Sequence, residues 1–467
     1  MNRIVPLILA VALFMEQMDS TVIATALPAI AADLGVGPIT LKLALTSYMV
    51  ALAIFIPVSG WMADRFGAKK IFRIAILVFV AGSILCAVSG SLFAFVAARF
   101  LQGMGGAMMT PVGRLVLLRT TKRSELVSAM ALLTIPALVG PLTGPPVGGF
   151  ITTYFSWHWI FLINVPIGLV GIWLATVHLP EVPAVETAPI DIKGFVLSGL
   201  AASGVVFGLS VMSLPALPVQ AGIGATVIGL ICVVLYVRHA RRHAAPLLNL
   251  SLFRDAAFRT SALSGSIFRV AAGAIPFLMP LMLQLGFGMT PFESGLITFI
   301  GAIGAITTKV LARRVFAAAG FRTVLIAAAL TGALTTAANA FFTPATPIAV
   351  IMGILLAAGF CRSFFFTGIN SLGYAEIDDR QASQATSMSS VLQQVSLALG
   401  VAVAAAILEG STAFHGRPLS LADFHLAFAV VAGLSLIAVI PFLGLARDAG
   451  AAVSGHGRRN GSADDIG

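Results

Sequence analysis

The chain has 467 residues, of which 58% are hydrophobic and only 10% charged, with a mean hydropathy of +1.01. Those values exclude an ordinary soluble domain and indicate a polytopic membrane protein. The net charge of +10 would suit nucleic acid if it were gathered in one patch, but it lies at the ends of apolar runs, as the positive-inside rule requires, so nucleic acid is set aside as a partner.

A bilayer core takes about 20 apolar residues per helix, and on that measure fourteen spans are expected, joined mostly by short loops. Six come first: Ile4–Ala26, Leu41–Met62, Ile71–Ser89, Leu92–Leu118, Leu126–Thr152 and Trp159–Leu179. A polar, proline-rich stretch, Pro180–Lys193, leads to two more, Gly194–Met212 and Ala221–Val237, and a basic connector follows from Arg238 to Arg259. The last six are Thr260–Leu285, Ser294–Phe316, Thr323–Phe342, Pro347–Ile369, Ala382–Glu409 and Phe424–Leu445, ahead of a tail rich in glycine, serine and charge that reads as disordered. The expected organisation is therefore all-α, six plus two plus six: an N-terminal bundle (1–179), a linker with two added helices (180–258), a C-terminal bundle (259–446) and a cytoplasmic tail (447–467). With the N-terminus in the cytoplasm, only Lys42 and Arg417 fall at outer ends. Both termini are then cytoplasmic, and the apolar N-terminus reads as a retained first helix. The three cysteines, Cys86, Cys232 and Cys361, sit in apolar spans and imply no disulfide framework.

The first helix carries two acids where the pattern is otherwise apolar, Glu16 and Asp19 in F-M-E-Q-M-D-S-T-V-I-A-T-A-L-P (Phe14–Pro28). Three residues apart, they share a helix face, and an ionisable group at bilayer depth faces a cavity or a partner. A proton-coupling role is expected of at least one; a fixed ion pair that pins the helix is the alternative. Arg99 on the fourth helix lies about 12 Å below the outer surface and Asp19 about 22 Å above the inner one, by 1.5 Å per residue in a core of about 30 Å. The two meet at similar depth, so Arg99 is expected to pair with Asp19 or Glu16, and protonation would break the pair.

Three further stretches bear on mechanism. After the second helix, G-W-M-A-D-R-F-G-A-K-K (Gly60–Lys70) offers Gly60 and Gly67 for a tight turn, Asp64 as an acceptor at the next helix N-terminus, and Arg65, Lys69 and Lys70 as cytoplasmic charges. The fourth helix carries A-R-F-L-Q-G-M-G-G-A (Ala98–Ala107), which includes Gln102. The fifth contains A-L-V-G-P-L-T-G-P-P-V-G-G-F (Ala137–Phe150), where Gly140, Gly144 and Gly148 recur every four residues as a face for close helix approach, beside Pro145 and Gly149. These resemble, in turn, the gate loop, the arginine motif and the antiporter motif of the major facilitator superfamily. M-D-S-T-V-I-A-T-A-L-P (Met18–Pro28) and W-H-W-I-F-L-I-N-V-P-I-G (Trp157–Gly168) are similar to signatures of its fourteen-helix drug:proton antiporters, the EmrB and QacA type. G-G-A-M-M-T-P-V-G-R (Gly105–Arg114) and P-L-L-N-L-S-L-F-R (Pro246–Arg254) fit the MdtD-like and HsrA-like bacterial members. Two departures stand out: His158 replaces an arginine common in the wider family, and Glu16 stands where a neutral residue is expected.

The resemblance covers nearly the whole chain and implies a major facilitator fold, alternating access, and proton-coupled export from the bacterial inner membrane by a monomer. The partners implied are a small-molecule substrate, protons and the lipid bilayer, with no cofactor and no metal. In the C-terminal bundle the intramembrane charges are basic: Arg269 and Arg362 lie about 15 Å and 22 Å into their helices. With Gln393, Gln394, Gln102 and Phe365 they are the expected substrate-binding residues, and three membrane arginines against two acids make an anionic substrate at least as suitable as a lipophilic cation. The competing readings are an uptake symporter for an organic anion and a non-transporting sensor on the same fold. A membrane enzyme would need H-E-x-x-H or G-x-S-x-G, and an ATPase G-x-x-x-x-G-K-[ST]; none of these occurs.

Overall fold

The computed structural model describes residues 4–121, 126–181, 184, 189–212, 218–377, 381–446 and 449–450. Among them there is no strand. The helices are α1 (Ile4–Val22), α2 (Lys42–Phe66), α3 (Ala68–Ala87), α4 (Leu92–Thr120), α5 (Leu126–Tyr154), α6 (Asn164–His178), α7 (Ile192–Met212), α8 (Val219–Ala240), α9 (Ala256–Leu281), α12 (Ile348–Gly373), α13 (Ala382–His415) and α14 (Leu421–Ile437). Between α9 and α12, Pro291–Ala338 runs as two arms, α10 (291–319) and α11 (321–338), broken at Gly320 with φ 72°. Among the described residues, twelve helical segments are long and apolar enough to cross a bilayer. The 29-residue α5 and the apolar Pro291–Ile306 stretch of α10 bring the number to the expected fourteen in this multi-pass membrane protein. Most of the expected tail, and residues 182–183 and 185–188 of the proline-rich linker, lie outside the described residues.

Helix starts are set by local chemistry. Ser91, Asp255 and Thr290 each accept the backbone N–H three residues on, and Thr290–Glu293 and Ser420–Asp423 form complete capping boxes at α10 and α14. At α7 the Asp191 carboxylate takes the Gly194 N–H at 2.8 Å, the His239 Nε2 at 2.7 Å and the Leu247 N–H at 3.2 Å. Burial works to raise the Asp191 carboxyl, but these hydrogen bonds outweigh it and hold it below its ordinary value. Its contribution to stability is therefore present above the ordinary carboxylate value, about 3.9, and is lost as pH falls through the depressed one. Asp191→Ala should cost about 1 kcal/mol at neutral pH, a deficit in thermal unfolding that shrinks below about pH 4.

The packing separates the two ends of the molecule. At the end carrying Lys42, one apolar core runs through both bundles, with Val22, Leu27, Phe277, Leu281, Val401 and Leu408 all buried together. At the end carrying the 60–70 turn the cores are separate, one around Phe72, Ile76 and Val116 and another around Phe268, Phe316 and Phe442. The two seams between bundles are α5 against α10 and α2 against α13. Bonds that cross them lie at the Lys42 end: Gln284 Nε2 donates to the Thr25 carbonyl at 3.0 Å, the Phe292 N–H donates to Thr153 Oγ1 at 3.1 Å, and Lys42 forms an ion pair with Glu409. Among the described residues the bundles thus share one core at the Lys42 end and keep separate cores at the other.

The added pair α7–α8 packs through glycines. A Cβ on Gly204 would lie 2.6 Å from the Gly229 Cα, and one on Gly208 2.5 Å from the Thr226 backbone nitrogen, so no larger residue fits. The outward face of α8, including Ile223, Val227, Ile231 and Val234, is exposed and apolar, as suits lipid. On its other side α7 touches both α2 and α13.

Candidate functional site

Asp19, on the last turns of α1, is fully buried and accepts three hydrogen bonds. Arg99 Nη1 donates to Oδ2 at 2.7 Å, while Gln102 Nε2 and Asn164 Nδ2 each donate to Oδ1 at 2.8 Å. Arg99, one turn before Gln102 on α4, also donates to Gln102 Oε1 at 2.6 Å, and its guanidinium lies over the Tyr48 ring at 4.2 Å. Ser83 on α3 closes the ring of contacts, accepting from Gln102 at 2.7 Å and from Asn164 at 3.2 Å. Arg99 Nε and Nη2 and Asn164 Oδ1 are buried without a hydrogen-bond partner among the described residues. The cluster therefore holds a carboxylate as a pure acceptor with donor capacity in reserve.

Glu16 is nearly as buried but takes no part in that pair. The Tyr48 hydroxyl donates to its Oε1 at 3.3 Å and Gln17 Nε2 to its Oε2 at 2.6 Å. Of the two candidate acids, Asp19 is the one joined to Arg99. Gln102, expected on a substrate surface, belongs instead to the Asp19 cluster and has no exposure. Ser83, Asn164 and Tyr48 were not singled out, although Asn164 falls inside the Trp157–Gly168 motif and a polar amide in an apolar run is itself a signal.

The glycine motif on α5 has a clear partner. Added Cβ atoms on Gly140, Gly144 and Gly148 would lie 2.9 Å from the Phe14 carbonyl oxygen, 2.0 Å from Thr21 Oγ1 and 2.3 Å from the Val22 carbonyl oxygen, all on α1. Gly149 faces the other way, where a Cβ would come 2.4 Å from the Pro291 carbonyl oxygen at the start of α10, and the Pro145 carbonyl is approached by Gly295. The helix is wedged between the one that carries Asp19 and the opposite bundle. Gly148→Ala is expected to cost about 1–3 kcal/mol through overpacking, read as a lower thermal midpoint and slower transport. Gly353→Ala, with open space around it, should leave both unchanged.

The gate motif is arranged differently from expectation. Gly60 lies inside α2 with open space around it, so Gly67 alone makes the turn, at φ 91°. Asp64 does not cap the next helix; it accepts from Arg119 at the end of α4 at 2.5 Å, and Lys69 pairs with Glu181 at 3.1 Å. Arg65 and Lys70 are exposed. These bonds stay within the N-terminal bundle and its following loop, in keeping with the separation of the bundles at this end.

In the C-terminal bundle, Arg269 on α9 is 5% exposed and lines a small cleft, about 20 Å³ in volume, between α9, α12 and α13. Arg362, further up α12, instead lies toward Gly301 of α10, where its Nη2 is 3.9 Å from the position of an added Cβ. Phe365 is not on a cavity: it has no exposure and stacks on Phe268 with ring centroids 3.9 Å apart, within the bundle core. Gln393 and Gln394 are half-buried on α13, directly after the cleft residue Leu392. Glu409, near the end of α13, is engaged with the fully buried Lys42. Elsewhere, Asp191, His239 and His243 bring possible metal-ligand atoms within 4.8 Å of one another, but the Asp191 carboxylate is committed to capping α7.

Residues 9–401 match the family model described as Major Facilitator Superfamily. The chain is 36% identical over 441 residues to a protein of Serratia proteamaculans that carries the name multidrug resistance protein MdtD, covering 94% of this chain and 92% of that one. Among solved structures it resembles a POT family transporter in complex with 5-aminolevulinic acid, with a TM-score of 0.70 and 14% identity over 93% of this chain and 94% of the other. It also resembles a D-xylose-proton symporter, with a TM-score of 0.68 and 15% identity over 96% and 98%.

Proposed function

This chain belongs to the Major Facilitator Superfamily, and from that premise we propose that it is a proton-coupled exporter of small amphiphilic molecules, drugs or organic anions, working by alternating access. The observation that carries the reading is the Asp19 carboxylate, buried at membrane depth and held only by donors from Arg99, Gln102 and Asn164. An antiporter must give up its proton on the side where it loads substrate. With the 60–70 turn on the cytoplasmic side, as the positive-inside rule has it, a form closed at the Lys42 end is inward-facing. In that form Asp19 is the ionised acceptor that an exporter needs after releasing its proton. Protonation from outside would discharge Asp19, loosen Arg99 and favour return.

Export over uptake is supported by the glycine face of α5 against α1 and by the multidrug resistance name of the relative. The protein is a carrier and not an enzyme, placed in the bacterial inner membrane with both termini in the cytoplasm, and it works as a monomer of two bundles divided near residues 180–258. Its partners are a small molecule, protons and the bilayer. The test uses inside-out vesicles with an acidified lumen, challenged with cationic drugs and organic carboxylates. Proton release from the lumen on addition of a compound, absent from vesicles without the protein, is the expected result. Release with none of a broad panel, the protein being folded, would overturn the reading.

A further inference from the structure

Arg269 is a buried cation that no carboxylate among the described residues is seen to pair with. Among the described residues it forms no ion pair; its one hydrogen bond, Nη2 to Asn370 Oδ1, is long at 3.3 Å, and the Phe366 ring lies 5.6 Å away. A guanidinium has five N–H donors, so most of its capacity is unused. Space is kept for it: a Cβ on Gly265, one turn earlier, would fall 2.9 Å from Arg269 Nη1. Ser261 Oγ, in the wall of the same cleft, is buried and also lacks a partner. Asn370 and Ser389 add polar groups, while Phe258, Ile369 and Leu392 make the rest of the wall apolar.

We propose that this cleft binds the carboxylate of an organic monoanion with a small apolar body, the acid on Arg269 and Ser261 and the body against Phe258, Ile369 and Leu392. This deepens the exporter reading and rests on it for the consequence that such an acid is cargo. A planar carboxylate matches the guanidinium fork with two parallel hydrogen bonds. One negative charge is what the cleft can balance, since Arg269 is the only lysine or arginine among the described residues of its wall. A phosphate monoester would bring in a second, unpaired charge. The enclosed space is small, about 20 Å³, with room for little more than one water-sized group, so the carboxylate takes it and the body lies toward the open side of the cleft against the apolar wall. The cleft uses helices of the C-terminal bundle alone, so acid binding is separable from the Asp19 cluster.

The test is equilibrium binding of 3-phenylpropionate to the purified full-length protein in detergent, beside its neutral amide. Saturable binding of the acid is expected, with the amide, Arg269→Gln and Gly265→Ala each weaker by about ten-fold or more and Arg269→Lys intermediate. Gly265→Ala displaces the guanidinium without removing it, which keeps the test open if Arg269→Gln fails to fold. Equal binding of acid and amide, or acid binding unchanged in both variants, would overturn the proposal. Displacement of the acid by stoichiometric short-chain phosphatidylglycerol would overturn it in favour of a lipid phosphate. If the acid fails to bind while vesicles still exchange protons for cationic drugs, only the cleft proposal falls; if the acid binds and no compound releases protons, only the exporter reading falls.

Discussion

Replacing Asp19 by asparagine is expected to abolish substrate-driven proton release and to destabilise the protein at the same time. The first effect follows because asparagine keeps the shape of the side chain but cannot exchange a proton. The second follows because Arg99 has no exposure and finds its counter-charge in Asp19. Removing one member of a buried ion pair leaves the other uncompensated, at about 3–5 kcal/mol. The two effects separate in the double variant Asp19→Asn/Arg99→Gln, which should recover much of the thermal stability and none of the coupling. Glu16→Gln should retain coupling, since Glu16 bonds to Tyr48 and Gln17 and not to Arg99. Undiminished proton exchange in well-folded Asp19→Asn would remove Asp19 from the mechanism.

Lys42→Met is expected to shift the protein away from the form closed at the Lys42 end. Lys42 on α2 has no exposure and its partner Glu409 on α13 is 12% exposed at the side chain, so the pair is buried in the seam that must part when the outer end opens. With the ammonium gone, the Glu409 carboxylate is stranded while the seam is shut, again at about 3–5 kcal/mol, and is relieved when water enters. At about 1.4 kcal/mol for each factor of ten, that penalty moves the balance of forms by two to three orders of magnitude. Spin labels at Phe93 and Phe341, both exposed and on different bundles, should report a longer distance in Lys42→Met than in wild type. Adding Glu409→Gln should bring the distance back. A single variant with wild-type distances would show that the pair does not hold the outer end.

The helices were legible because a bilayer requires runs of apolar residues, and fourteen such runs are visible without tertiary information. Depth was legible too: a constant rise per residue brought Arg99 and Asp19 to one level, and they meet. Rotation about each helix axis was not. Depth alone could not decide between Glu16 and Asp19, whose side chains point only about 60° apart around the axis, nor tell that Gln102 points into the Asp19 cluster and Phe365 into a core. Pairings between distant segments were hidden for the same reason. Lys42 and Glu409 each look like an ordinary charge near a helix end, and only the packing of α2 on α13 brings them together. The gate motif gave the right turn at Gly67, but the Asp64–Arg119 bond depends on how α2 and α4 lie side by side, which no local pattern records.

The position of α7 has a mechanical consequence. A helix that rests on α2 and α13 together straddles a joint, and when the joint widens it cannot keep both footholds. The surfaces in contact are apolar: Phe195 against Phe55, Gly199 beside Ile54, and Val206 among Val50 and Ala398. Contacts of this kind are apolar and non-directional, so giving up either foothold strands no hydrogen-bonding partner on the helix.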